Sequence, residues 1–398
     1  MSSVVRLLSD LIAFSTVSHT SNQAITEWVA ERLRAQGFEC EQTRYLDGEG
    51  VPKFNLVAKR LPLDSQEKTG GSSDDRSENE TGLAYFCHTD VVPADRWNGP
   101  GGNPFRAVIE DGRLYGRGSC DMKGSLAAML AVVDGLDAAQ QSAPLWIVCT
   151  ADEETGLRGA KELVQSSPAY RDLVAHDPVA LIGEPTELRV VYAHKGMSGF
   201  RVVSHGKAAH SSTSRGVNAN VLMIPYLQTI LELHERVQTD PLMRDDRFDP
   251  PTLTFNFGIS DHAEATNIVP DRSEVWGNWR TMPGVDGACL MSDAKAAAEQ
   301  LGLNFFSYKS VEPMESRTDD PALIRMCELA SPYGGSEKPE TVCYSTDGAV
   351  LNELSHRIVC GPGSIDQAHT VDEFIELKSL EDGVALFREA AHAFAMRS

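Results

Sequence analysis

Histidines and carboxylates recur where apolar runs end. "CHTDVVP" puts His88 and Asp90 after the apolar "GLAYFC", and "GRGSCDMKG" puts Asp121 in a glycine-flanked loop ahead of a helical pattern. "IVCTADEETG" closes an apolar run with Asp152, Glu153 and Glu154, and "LIGEPTE" closes another with Glu184. "GPGSIDQAHTVDEF" carries His369 after a glycine-rich loop and ahead of a helix expected to start near "VDEF". Singly, each has an ordinary explanation: a satisfied histidine, an N-capping aspartate, a solvated acidic turn. Three adjacent acids at a strand's end, however, are not all comfortable without a cation or raised pKa values.

Two imidazoles and three carboxylates, from His88, Asp121, Glu154, Glu184 and His369, form a donor set for two divalent ions of zinc type, one carboxylate bridging and each ion taking a histidine and an acid. Such a centre lowers the pKa of a shared water, and a neighbouring carboxylate that is not a ligand can take its proton. Glu153, beside Glu154, is the candidate base. Asp90 is expected to hold the His88 imidazole by its other nitrogen or to support the site from behind.

These residues need a fold that gathers them. Helical patterns ("VVRLLSDLIAF", "NQAITEWVAERLRAQG", "GSLAAMLAVVDGLDAA") alternate with short apolar runs ("GLAYFC", "LWIVCTA"), which predicts βαβ units. The expected class is α/β, a mixed and mostly parallel sheet sandwiched by helices, whose strand carboxyl ends line the ligand crevice. After "LIGEPTELRVVYAHKG" the character changes to antiparallel-type strands with long helical patterns. An inserted α+β domain is therefore expected at 188–316, splitting a catalytic domain into 1–187 and 317–398. The polar run Leu63 to Gly82 reads as a mobile surface loop.

A length of 398 residues calls for more than one domain, and a formal charge of −21 argues against nucleic acid and anionic membrane surfaces as partners while mildly favouring cationic or small ligands. No apolar run approaches the roughly 18 residues of a membrane span, and the start reads as an amphipathic helix without a leader pattern. Eight cysteines without CxxC spacing suit a reduced, cytoplasmic setting and leave thiolate zinc out.

The series "HTDVVP", "GRGSCDMKG", "DEETG", "GEPT" and "GPGSIDQAH" resembles the motifs of the acetylornithine deacetylase, succinyl-diaminopimelate desuccinylase and carboxypeptidase G family of co-catalytic zinc amidohydrolases, in that family's order and across nearly the whole chain. The resemblance implies that Asp121 bridges two ions (zinc, with cobalt as alternative), that His88 and Glu184 complete one position, that Glu154 and His369 complete the other, and that Glu153 is the general base. It also implies a di-zinc exopeptidase-like catalytic domain with an inserted dimerisation or lid domain, hence a homodimer.

In that inserted domain, "GKAAHSS" resembles the motif whose histidine, His210, reaches a partner's active site to steady the oxyanion. "ATNIVPDRSEVWGNWRTMP" resembles a lid segment whose asparagine and arginine, Asn267 and Arg280, contact the substrate carboxylate or the oxyanion. The loop "YSTDGAV" leans to the acetylornithine branch, which makes N2-acetyl-L-ornithine the expected substrate and gives Asp347 the ornithine ammonium to meet. Its aspartate stands where the family pattern has glutamate, and the polar insertion is no family signature. A related amidohydrolase for another N-acyl amino acid, N-succinyl-diaminopimelate or a dipeptide is the alternative, and a binding protein that kept only the fold is the non-enzyme reading. A metal-free serine or cysteine hydrolase finds no GxSxG motif or nucleophile context.

Overall fold

The computed structural model describes residues 2–63, 82–263, 265–308 and 310–397, so the polar run expected as a mobile loop lies, apart from its two end residues, outside the described residues. The chain forms two compact units, one of Met1–Tyr192, Glu315–Glu340 and Thr346–Ser398, the other of Ala193–Met314 and Thr341–Ser345. The second unit thus starts a few residues later than the 188–316 expected from composition. It also takes in 341–345, a stretch read as part of the closing catalytic segment.

The first unit is built on a mixed sheet. Its central strands run in the order Leu145–Thr150, Leu83–His88, Val179–Ile182, Arg357–Val359, and every pair among them is parallel. Glu39–Leu46 and Pro52–Arg60 extend one side antiparallel. The first three of these central strands are buried at every position, as expected when both faces are covered, which is why their sequences read as unbroken apolar runs rather than alternating ones. Helix Lys123–Gly135 is buried at all positions from Lys123 to Val133, an all-round burial that places it as an inner layer. It packs against helices Ser3–Ile12 and Leu377–Ala395. The first of these buries Val4, Val5, Leu7, Leu8, Leu11 and Ile12, the stripe that its sequence period predicts.

A small sheet joins Phe374–Glu376, Arg113–Tyr115 and Val108–Glu110, pairing Phe374 with Tyr115 and Glu376 with Arg113. The closing helix therefore begins at Leu377 rather than near "VDEF", because Phe374–Glu376 spends its backbone on this pairing. In the second unit an antiparallel sheet of order Asn256–Ser260, Arg272–Trp279, Ser198–His205, Asn304–Ser307 carries helices Ala219–Thr239 and Ala288–Gln300. No helix among the described residues is long and apolar enough to cross a membrane.

Candidate metal centre

Parallel strands finish on one edge, and the segments leaving that edge carry the candidate ligands. His88 is the last residue of its strand, paired in register with Thr150, the last of the next. Asp152, Glu153 and Glu154 follow Thr150, and Glu184 follows the strand ending at Ile182. Asp121 arrives from the loop before helix Lys123–Gly135. It is not the N-cap, a place taken by Met122 without a side-chain cap bond. The loop's shape depends on Gly118, whose φ of +81° suits glycine and whose added Cβ would meet Val91 at 2.7 Å.

The resulting geometry centres on Asp121. One of its oxygens lies 3.0 Å from His88 Nε2 and the other 3.3 Å from His369 Nε2. Glu184 Oε1 is 4.0 Å from the same nitrogen of His88, and Glu154 places its two oxygens 3.1 and 3.0 Å from His369 Nε2. One donor atom from each of His88, Asp121 and Glu154 falls within 4.8 Å of the others. His88 Nδ1 lies 2.9 Å from the carbonyl oxygen of Asp90. A carbonyl only accepts, so Nδ1 carries a proton, and Nε2 is the nitrogen that faces the carboxylates and that an ion would take.

That contact specifies how Asp90 meets the ring. Its main chain, not its carboxylate, holds the imidazole; the carboxylate stays 3.6 Å from Nδ1. The strand has ended at His88, so the alternation that turns strand residues two apart to one face stops before Asp90. Its carboxylate accepts instead from the Ser18 hydroxyl at 2.7 Å and from the Glu153 backbone N–H at 3.1 Å, which ties the Glu153 turn to the His88 loop.

The charges ask for a cation. Burial pushes Glu184 and Glu153 well above the ordinary carboxylate range, and burial with Asp121 nearby raises Glu154. Burial raises Asp121 as well, but the two imidazoles bonded to it outweigh that and hold it low. Bonds to Asp121 and Glu154 push His369 up to about 10. A cluster that binds protons this tightly at its imidazoles offers divalent ions the same attraction, and the N/O donor set fits zinc-type ions. Glu153 stands apart: among the described residues no hydrogen-bond donor touches its carboxylate.

Asp152 does not share this site. It takes φ +54° and turns its carboxylate to Lys53 at 2.8 Å and to the Tyr45 hydroxyl at 2.9 Å. Lys53, itself buried, also donates to the carbonyls of Ser18 and Thr20. Removing one partner of such a buried pair costs about 3–5 kcal/mol, so Lys53 and Tyr45 pin the turn that presents Glu153 and Glu154. Nothing local in "VPKFNLVAKR" marks Lys53 for this, since its partner lies about a hundred residues away.

Asp347 is 3% exposed, accepts a 2.5 Å bond from the Thr150 hydroxyl, and leaves its other oxygen buried without a hydrogen-bond partner. Burial pushes its carboxyl up to about 6. The remaining predicted residues lie in the second unit. His210 is exposed, with Nδ1 2.7 Å from the Ser212 hydroxyl, and it bridges to Ile268; Ser211 N–H donates to the Asn267 carbonyl, so His210 and Asn267 share one patch. Arg280 follows strand Arg272–Trp279, half-buried, and among the described residues its guanidinium pairs with no carboxylate.

The profile of peptidase family M20/M25/M40 matches residues 84–393. An acetylornithine deacetylase of Myxococcus xanthus is 33% identical over 396 residues, covering 97% of this chain and 96% of its own, and one of Proteus mirabilis (strain HI4320) is 31% identical, covering 98% and 97%. The crystal structure of an M20 family metallo-carboxypeptidase from Sulfolobus solfataricus has the same fold, with a TM-score of 0.73 at 16% identity over 99% of both chains. With the profile spanning most of its length and relatives matching it end to end, this chain belongs to peptidase family M20/M25/M40.

Proposed function

We propose that the chain is a two-metal amidohydrolase that removes the acetyl group from N2-acetyl-L-ornithine, giving L-ornithine and acetate. The observation that carries this reading is Asp121 between two imidazoles, one per oxygen, with an acid beside each, in a family whose end-to-end relatives include acetylornithine deacetylases. His88, Asp121 and Glu184 would hold one ion and Asp121, Glu154 and His369 the other, zinc by donor type and cobalt as the alternative. Bound there, such ions supply Lewis acidity toward the amide carbonyl and acidify a shared water.

Glu153 accepts the proton of the attacking water as the new C–O bond forms, and passes it to the amine nitrogen as the C–N bond breaks. Burial raises its pKa, which favours the first half of that transfer. Asp90 positions His88 and Glu153 rather than touching substrate. In the second unit, Arg280 is proposed to offer a bidentate fork to the substrate carboxylate, and Asn267 and His210 are the hydrogen-bonding groups proposed for the carboxylate and the oxyanion.

A homodimer through the second unit is part of the proposal. Helix Ala219–Thr239 leaves Val221, Ile224 and Leu231 more than half exposed, and edge strand Asn256–Ser260 does the same with Ile259; an apolar stripe beside an open sheet edge is a surface that folded chains usually cover. Eight free thiols, two of them 3.6 Å apart, support a reducing cytoplasm as the setting.

The substrate side chain is tested through Asp347. Its buried, half-satisfied carboxylate is the group of the first unit proposed to favour a cationic side chain. Asp347→Asn is expected to raise KM for N-acetylornithine by about tenfold, the value of one weakened charged contact, and to leave KM for N-acetylmethionine nearly unchanged. Steady-state kinetics on both substrates, alongside N-succinyl-diaminopimelate and a dipeptide, decides it. Equal effects on the basic and neutral substrates would make Asp347 a structural support of Thr150 instead.

A further inference from the structure

Glu373 has no part in the reading above, and it is among the most fully bonded carboxylates near the site. The register of the small sheet sets its carbonyl against Gly116, whose N–H donates to it at 3.1 Å. Its side chain, 1% exposed, meets the loop that ends in Asp121. One oxygen accepts from the backbone N–H of Cys120 at 2.8 Å and of Asp121 itself at 3.0 Å. The other accepts from Gly118 N–H and from Arg117 Nη1, each at 2.8 Å. Arg117 then spends Nη2 on the carbonyl of Thr370, the residue after His369, at 2.9 Å, and on that of Pro93 at 3.4 Å. One buried ion pair thus joins the Asp121 loop, the His369 loop and the loop beyond His88.

The two metal positions need this joint unequally. His88 closes a strand hydrogen-bonded on both sides, and Glu184 stands two residues beyond another. His369 sits instead on a turn, with φ +64° and a side chain 55% exposed. We propose that Glu373 and Arg117 are positioning residues that set His369 against Asp121, and thereby govern ion affinity at the Glu154–His369 position selectively over the His88–Glu184 position. This rests on the two-metal reading given above.

The test is stepwise titration of metal-stripped, full-length protein with cobalt(II), followed by calorimetry and by visible absorption. Glu373→Gln keeps the shape of the side chain but faces an amide NH2 toward backbone N–H groups. Arg117→Lys keeps the charge but cannot span both Glu373 and Thr370 with a planar fork. His369→Ala identifies which binding event belongs to the exposed position.

The expected result is two events in the wild-type chain. In both variants the event that His369→Ala abolishes weakens by about 10–100-fold, the usual cost of losing a group that orients a ligand, and the other event is unchanged. A purely structural ion pair would instead weaken both events together with a fall in melting temperature, and that outcome, or no change in either, overturns the inference. If Glu373→Gln does not fold, Arg117→Lys decides alone, and wild-type binding in it overturns the inference. Fewer than two ions on the wild-type chain would instead remove the two-metal reading itself.

Discussion

Glu153→Gln is expected to lower kcat by about 10²–10⁴-fold, the usual contribution of a positioned general base, while the protein still binds its full complement of ions. The geometry separates the two properties. Glu153 touches neither imidazole, and the contact that fixes its place is made by its backbone N–H to Asp90, which glutamine keeps. Glutamine also matches its size, so the site should keep its shape and KM should move little. Steady-state kinetics beside elemental analysis of the purified variant checks both halves. Loss of an ion on this substitution would show that Glu153 is a ligand and that the base lies elsewhere.

The second large effect belongs to Asp121. Asp121→Ala is expected to weaken both binding events by more than about 100-fold, since merely disturbing a ligand's orientation already costs 10–100-fold, and activity should fall with them. The carboxylate gives one oxygen to each imidazole and so stands in both positions. The fold should survive, because Glu373 bonds the backbone N–H of Asp121 and not its side chain. Circular dichroism together with cobalt titration reads both. Selective loss of one event would mean that Asp121 serves one ion alone.

How much of this was legible in the sequence follows the range of the interactions. The central strands could be read because burial on both faces makes them unbroken apolar runs, and the ligand-bearing segments could be read because they follow those runs directly. His88, Glu153, Glu154 and Glu184 are proposed on that ground, and Asp121 and His369 on their glycine-rich loops. What supports them was not legible. Lys53 meets Asp152 across about a hundred residues, and Arg117 meets Glu373 across more than two hundred. No periodicity or spacing carries such a pairing.

Asp90 shows a subtler gap. Its place beside His88 was evident, yet whether carbonyl or carboxylate would face the ring depended on where the strand stopped. Segment 341–345 was assigned to the closing catalytic part because composition marks stretches, and five residues are too few to mark. The alternation of strand and helix also hid the short strand Phe374–Glu376, whose partner is distant in sequence and whose register places Glu373.

The activity proposed for the chain is metal-dependent hydrolysis of an N-acyl amino acid with a basic side chain. It is tested most directly by measuring release of ornithine and acetate from N2-acetyl-L-ornithine by one preparation, first stripped of metal and then restored with zinc or cobalt. The predicted result is no turnover when stripped and recovery on restoration, with N2-acetyl-L-ornithine the preferred substrate over N-acetylmethionine, N-succinyl-diaminopimelate and a dipeptide. Turnover that persists in the stripped protein, or none in restored protein shown to hold two ions, would contradict it.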